Sequence, residues 1–358
     1  MSRTIKIVAL LAAIAVLTSL GLPGARPPQG AEEATLAGAG APATAVVTVT
    51  PGGDSDGPYV TSQKPAVEIQ TPPVQGKLYG GPYVTEVTPT SAVLNWVLRG
   101  SGAPPPDTGW RVQHARVKGL KPLTTYYYDV LRDGTAEGRG QFTTPPASSG
   151  DFSFAVYGDT RTRHDVHRMV AGKMAERSPD FAIHTGDLVS KGLEANQWPT
   201  FLECSQALLR KASFYPALGN HERNSPLFFQ FFPRPSACYS FDWGEAHFVL
   251  LNSDVGEDGW KQQLQWLEKD LAAQGAGFRF LVLHHPPYSA IAGRQEEARE
   301  LAARLTPTLR KYRVQAVFSG HDHTYQRHVA DGVQYVVTGG GGAPLHEPNA
   351  PIPGITQK

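Results

Sequence analysis

The chain has 358 residues, 41% hydrophobic and 18% charged, which allows a real apolar core in one large domain or two ordinary ones. A formal charge of +1 excludes a global electrostatic pull toward nucleic acid or an anionic membrane. Pro (30) and Gly (37) are abundant, and both are denser in the first 80 residues than in the rest of the chain.

Residues 1–30 place Arg3 and Lys6 ahead of an apolar run from Ile7 to Leu22, then Pro and Gly, the layout of a secretory signal. No clear small-x-small cleavage site comes after it, so an uncleaved N-terminal anchor, and with it a membrane tether, is the alternative. The run is short for a span of roughly 20 residues, which favours the signal. Export is expected either way, to a secreted, periplasmic or cell-surface location. Cys204 and Cys238 have no metal-site spacing, and in an exported protein they are expected to form a disulfide. Residues 31–77 are rich in Pro, Ala, Gly and Thr and read as a linker, with "TAVVTVT" as a stray β-run.

Over 78–146 short β-runs alternate with turns: "AVLNWVLRG" reads with period two, "TTYYYDVLRDG" ends at Asp133-Gly134, and "GQFTTPP" closes the segment. A small all-β sandwich is expected. From 150 to 345 apolar strands ("FSFAVY", "FAIHT", "FYPAL", "HFVLL", "FRFLVL", "VQAVFS") alternate with helical stretches ("VHRMVAGKMAERS", "WPTFLECSQALLRK", "WKQQLQWLEKDLAAQ"), the signature of an α/β domain. Residues 346–358 form a C-terminal tail.

The residues just past the strands carry the chemistry. "FAVY" leads to Gly158-Asp159, "FAIHT" to Gly186-Asp187, and "FYPAL" to Gly219-Asn220-His221-Glu222. "FLVL" leads to His284-His285 and "AVFS" to Gly320-His321-Asp322-His323. In open α/β sheets the carboxyl ends of strands share one crevice, so these groups converge. Asp, Asn and His are donors that divalent transition metals accept, and six of them suit a two-metal site. A single Gly-Asp is usually a turn. The ordered set of five is not.

That set resembles the calcineurin-like metallophosphoesterase superfamily, whose pattern runs GD, GD, GNH[ED], H, GHxH. "VKGLKPLTTYYYDV" and "GRGQFTTPP" are similar to the fibronectin type III-like domain that precedes the catalytic domain in the purple acid phosphatase branch. The resemblance implies an α/β (α+β) fold of two packed mixed β-sheets flanked by helices, behind the small sandwich. It makes Asp187 the bridge between two metals, with Asp159 and His323 on the first and Asn220, His284 and His321 on the second. His284 rather than His285 is the ligand because it stands two before Pro286. His221 then acts as the catalytic group at the leaving oxygen, and His285 lies near the substrate. The family often continues with further strands, so an end at Lys358 would leave the last sheet edge short.

Departures from the pattern matter. Purple acid phosphatases carry a tyrosine three residues after the bridging aspartate, and here that residue is Ser190. Other superfamily members carry a histidine two after the first aspartate, and here it is Arg161. The first metal thus lacks one side-chain ligand. The expected ions are divalent Mn, Zn or Fe in a colourless protein. Arg161, whose guanidinium matches phosphate oxygens, is either a substrate-binding residue or a surface ion-pair partner. His164 and His167 read as solvent-facing residues of a helix start, with a swing toward the first metal as the alternative. Tyr325 and Arg327 come just after the last ligand, Arg327 being either a pocket residue or the partner of an acidic neighbour. Gly339–Gly342 lacks the Lys-Ser/Thr of a phosphate loop and reads as a close-packed turn beneath the site.

The implied function is an exported dinuclear phosphatase in which a metal-bridging hydroxide hydrolyses small-molecule phosphomonoesters. A phosphodiesterase or nucleotidase using the same site is the alternative within the class. A catalytically inactive cell-surface binding protein is the alternative outside it. No nucleic-acid partner is evident.

Overall fold

The computed structural model describes residues 6–8, 45–52, 67–70, 77–99, 110–132, 135–234, 236–273, 275 and 277–352. The apolar run read as a signal lies outside these, apart from Lys6–Val8, a strand (β1). No helix among the described residues is long and apolar enough to cross a membrane.

The sandwich is built from β2 (Ala45–Pro51), β3 (Val67–Gln70), β4 (Lys77–Thr88), β5 (Ser91–Arg99), β6 (Trp110–Lys118), β7 (Thr125–Arg132) and β8 (Thr135–Thr143). One sheet has the order β3-β2-β7-β8 and the other β4-β5-β6. The run "TAVVTVT" is therefore no stray strand. Most of it is β2, whose Val47 and Val49 are fully buried opposite Val130 and Tyr128 of β7. Linker-like composition around it hid a β-branched strand that fills the core.

Strand β5 is buried on both faces, unlike an ordinary sandwich strand. Leu94, Trp96 and Leu98 face the sandwich core, whereas Val97 packs with residues of the following domain. The join is close. Tyr83 donates its hydroxyl to the Phe231 carbonyl, Gln141 N donates to Arg210 O at 2.7 Å, and a Cβ on Gly80 would lie 3.3 Å from Leu202.

In that domain β1, β9 (Ser153–Tyr157), β10 (Phe181–His184) and β11 (Ser213–Pro216) form a parallel sheet. A second sheet has the order β12 (Tyr239–Trp243), β13 (Ala246–Leu250), β14 (Phe278–Val282), β15 (Ala316–Ser319), β17 (Val333–Thr338), β16 (Tyr325–Ala330), with antiparallel pairing at its two edges. Side-chain alternation explains the layering. Phe154, Phe181, Phe248, Phe280 and Phe318 point between the sheets and pack as rings 4.9–6.1 Å apart. Their neighbours Ala155, Ala182, Val249, Leu281 and Val317 point outward to the helices. Helices α1 (His164–Ala175) and α2 (Gln197–Leu209) cover the first sheet, and α3 (Pro226–Phe231) is short. Helices α4 (Glu257–Ala273) and α5 (Gln295–Lys311) lie on the second. Helix α5 is not evident from sequence although Ala298, Leu301, Ala302, Leu305 and Leu309 form its buried stripe; Pro307 and a crowd of charges mask the period.

Cys204 and Cys238 are free thiols, which corrects the expected disulfide. Cys204 is buried on α2 against the first sheet, while Cys238 packs beside the cluster under the second. The sheets separate them.

At the amino end of β13, away from the ligand-bearing loops, His247 is held between Asp242 (2.6 Å from Nδ1) and Asp270 (2.7 Å from Nε2). Burial opposes its charge, but the two carboxylate hydrogen bonds outweigh it and raise the imidazole from 6.5 to about 9. A raised folded value stabilises fully below pH 6.5 and is lost as the pH climbs through 9. Wild type should therefore lose on the order of 2 kcal/mol more than His247→Gln between pH 6 and about 9.5, since Asp242 is partly solvent-screened. Urea unfolding of both proteins at the two pH values checks this, and parallel losses would refute it.

Candidate metal centre

The loops after β9, β10, β11, β14 and β15 meet at one edge of the sheet pair. Asp159, Asp187 and His321 all have left-handed backbone, with φ of 57°, 57° and 64°. That conformation is costly for a residue with a Cβ and recurs at functional sites. Glycines make room for it. A Cβ on Gly219 would lie 2.3 Å from Asp187 Oδ1, and one on Gly320 would lie 2.3 Å from Asp159 Oδ2.

The donors converge as the strand order implied. Oxygen and nitrogen atoms of Asp159, Asp187 and His284 lie within 4.8 Å of one another, as do nitrogens of His284, His285 and His321. Asn220 Oδ1 is 3.0 Å from His284 Nε2 and 3.1 Å from His321 Nδ1. Asp187 Oδ1 is 3.4 Å from His284 Nε2, and Asp159 Oδ1 is 3.4 Å from His323 Nε2.

Backbone carbonyls orient the rings. His284 Nδ1 lies 2.9 Å from Thr185 O, His323 Nδ1 2.7 Å from Pro344 O, and His221 Nδ1 2.7 Å from Ser190 O. A carbonyl can only accept, so each Nδ1 carries the proton and each Nε2 lone pair faces the centre.

The electrostatics fit a cation. Burial, then the neighbouring Asp187, pushes the Asp159 carboxyl well above its usual range. Burial lowers His284, His321 and His323 below the ordinary imidazole value, so the rings are neutral, the form that binds metal. Two buried carboxylates and three lone-pair nitrogens thus share a small space, and Arg161 is the cation in contact with them. Asp159, Asp187 and His323 would hold one ion; Asp187, Asn220, His284 and His321 would hold a second.

Other expected residues divide. Arg161 is partly buried and does form an ion pair, with a buried acid: its Nε lies 3.3 Å from Asp187 Oδ2, and its Nη2 lies 3.3 Å from His323 Nε2. His285 lies beside His321, with ring centroids 4.4 Å apart, and its Nδ1 is 2.8 Å from Ser253 Oγ. His164 is exposed as expected. His167 is not: it is buried, with Nε2 3.0 Å from Ser205 Oγ, because the fourth position of α1 turns inward. Arg327 pairs with Gln334 across the β16–β17 hairpin rather than with an acid. The glycine run does pack as a tight turn, Gly341 donating to Gly158 O at 2.9 Å.

Two supports are not assigned by the sequence pattern. Glu222 is fully buried and accepts from Asp187 N (2.9 Å), Gly219 N (2.8 Å) and Val189 N (3.2 Å), fixing the loop that bears Asp187. Its place beside Asn220-His221 is the available signal. His346 stacks on His323 at 4.1 Å, a contact brought by a tail with no periodicity to reveal it.

Residues 152–325 match the family model described as calcineurin-like phosphoesterase. Purple acid phosphatase 21 of Arabidopsis thaliana is 28% identical over 65% of this chain and 58% of its own length. The Fe(3+)-Zn(2+) purple acid phosphatase 12 of the same plant is 25% identical over 68% and 58%. The chain thus spans little more than half the length of these curated relatives. Among solved structures, purple acid phosphatase PPD1 from yellow lupin superposes with a TM-score of 0.64 at 16% identity, covering 85% of this chain and 82% of that one. The structure titled PhoD gives 0.56 at 14% identity, covering 75% and 78%. The segment from 152 to 325 therefore matches the calcineurin-like phosphoesterases, and the chain as a whole is similar to purple acid phosphatases.

Proposed function

We propose that the protein is an exported, metal-dependent phosphatase acting on small-molecule phosphomonoesters. One observation carries the reading: the buried Asp187 carboxylate lies between two sets of donors. Divalent Mn, Zn or Fe held there would supply Lewis acidity toward a phosphoryl group and lower the pKa of water.

The side chains around it supply the rest. His221 has its Nδ1 proton on Ser190 O, and its Nε2 lies 3.8 Å from Asp187 Oδ2 on the partly open side of the centre. In its imidazolium form, with a second proton on Nε2, it is placed to pass that proton to the leaving oxygen and return to the neutral Nδ1–H ring. Ser253 Oγ accepts from His285 N at 3.0 Å and gives its own proton to Nδ1 of the same residue, leaving Nε2–H of His285 to donate to a phosphate oxygen. Burial of Asp159, Asp187 and His284 keeps bulk water from screening these charges.

Hydrolysis of p-nitrophenyl phosphate and its bis ester, with and without chelator, tests the proposal. Chelator-sensitive cleavage of the monoester is expected. Preference for the diester would move the assignment to a phosphodiesterase, and no cleavage of either would favour a binding protein.

Asp187→Asn is expected to lower monoester turnover by at least about a hundredfold, about 2.7 kcal/mol of barrier. More than a tenth of wild-type activity would refute its central place. Glu222→Gln turns an amide N–H₂ against backbone donors, so metal affinity should fall about 10- to 100-fold and stability by about 1–3 kcal/mol. Metal titration and chemical denaturation read the two effects, and an unchanged affinity would show that Glu222 does not hold the Asp187 loop.

A further inference from the structure

We propose that Arg161 is a built-in competitor for the first metal position, and that its guanidinium must leave Asp187 and His323 before a cation binds there. The inference rests on the metal-centre reading above. Arg161 Nε is 3.3 Å from Asp187 Oδ2 and its Nη2 is 3.3 Å from His323 Nε2. Asp159 Oδ1 lies 3.4 Å from the same His323 nitrogen. A guanidinium has N–H donors and no acceptor, so it cannot join a coordination shell. The N–H it aims at His323 occupies the lone pair that an ion would need. Arginine and first metal therefore exclude each other.

The second position shares Asp187 with the first, and its remaining donors, Asn220, His284 and His321, contact one another rather than Arg161. Arg294, the other cation nearby, donates to His321 O (2.8 Å) and Asp322 Oδ1 (2.7 Å), so it engages a main-chain oxygen and a carboxylate outside the donor set. The asymmetry comes from one side chain.

Arg161 also has somewhere to go. It lines a cavity of about 370 Å³ together with Thr162, Ser190, Asn196 and Thr200. Polar groups on that wall can take over its hydrogen bonds. Freed from Asp187 and His323, the planar fork has the donors that match a phosphate ester bidentately. The same residue thus guards the position before loading and serves the substrate after it.

Calorimetric titration of metal-free protein with Mn²⁺ tests this without turnover. Wild type should show two sites differing at least about tenfold in affinity, about 1.4 kcal/mol. In Arg161→Met, which keeps bulk and removes charge, the weaker site should tighten about tenfold or more, and by more than the tighter one, which shares only Asp187 with it. Retention of the tighter site is the control for folding. Arg161→Gln should behave alike, because charge and donated N–H are what compete. Thermal melting gives an independent check. Metal-free Arg161→Met should melt below metal-free wild type, since Asp159 and Asp187 lose their counter-charge, and Mn²⁺ should raise its melting point more. A weaker site that stays as weak or weakens further in both variants overturns the competition. Absence of any Mn²⁺ binding to wild type would instead overturn the metal-centre reading itself, and the competition with it.

Discussion

The structure turns on two like charges held together away from water. Asp159 and Asp187 are both buried and lie within one donor cluster, although proximity and burial each oppose ionisation. The fold meets that cost with main-chain dipoles. His321 N donates to both oxygens of Asp159, and His221 N donates to Asp187 Oδ1 at 3.0 Å. Both amides belong to residues beside or among the other donors, so the loops that bring the nitrogen ligands also stabilise the carboxylates. Neither loop is placed correctly without the other, which makes the site one cooperative unit rather than a list of side chains.

That unit needs a rigid base, and the aromatic layer between the sheets supplies it. Phe154 and Phe181 stack 5.2 Å apart at 4° within the first sheet, and Phe248 meets each of them edge-on at 5.2 Å from the second. Rings in this arrangement fix the offset of one sheet against the other more narrowly than aliphatic side chains do. The offset decides whether loops after β10 and β15 touch. The sandwich adds to the base by packing Gly80 of β4 and Val97 of β5 against α2, whose first residue, Gln197, accepts from Ser190 N at 2.9 Å.

The sequence made the donor set legible because each donor lies directly past an apolar strand, and strand ends are where an α/β sheet gathers its loops. Three kinds of feature stayed hidden. The strand β2 was masked by the Pro- and Gly-rich composition around it, although Val47 and Val49 alternate as core residues should. The roles of Glu222 and Ser253 depend on main-chain hydrogen bonds across more than 30 residues, which no local pattern encodes. The inward turn of His167 depends on which face of α1 meets Ser205 of α2. The expected disulfide failed for a related reason: two cysteines carry no information about which sheet each packs against.

Ring orientation shows where such limits matter for chemistry. His221, His284 and His323 each give Nδ1–H to a main-chain carbonyl, of Ser190, Thr185 and Pro344. A carbonyl is present whatever the side chain, so the tautomer is fixed by backbone path rather than by side-chain identity at the three acceptor positions. Ser190 illustrates the consequence. Its side chain departs from the purple acid phosphatase pattern, yet its carbonyl still holds His221 in place. A change of residue there leaves the carbonyl that orients the His221 ring undisturbed. Ring orientation and the side chain at residue 190 are thereby separable, one following the chain trace and the other the residue type.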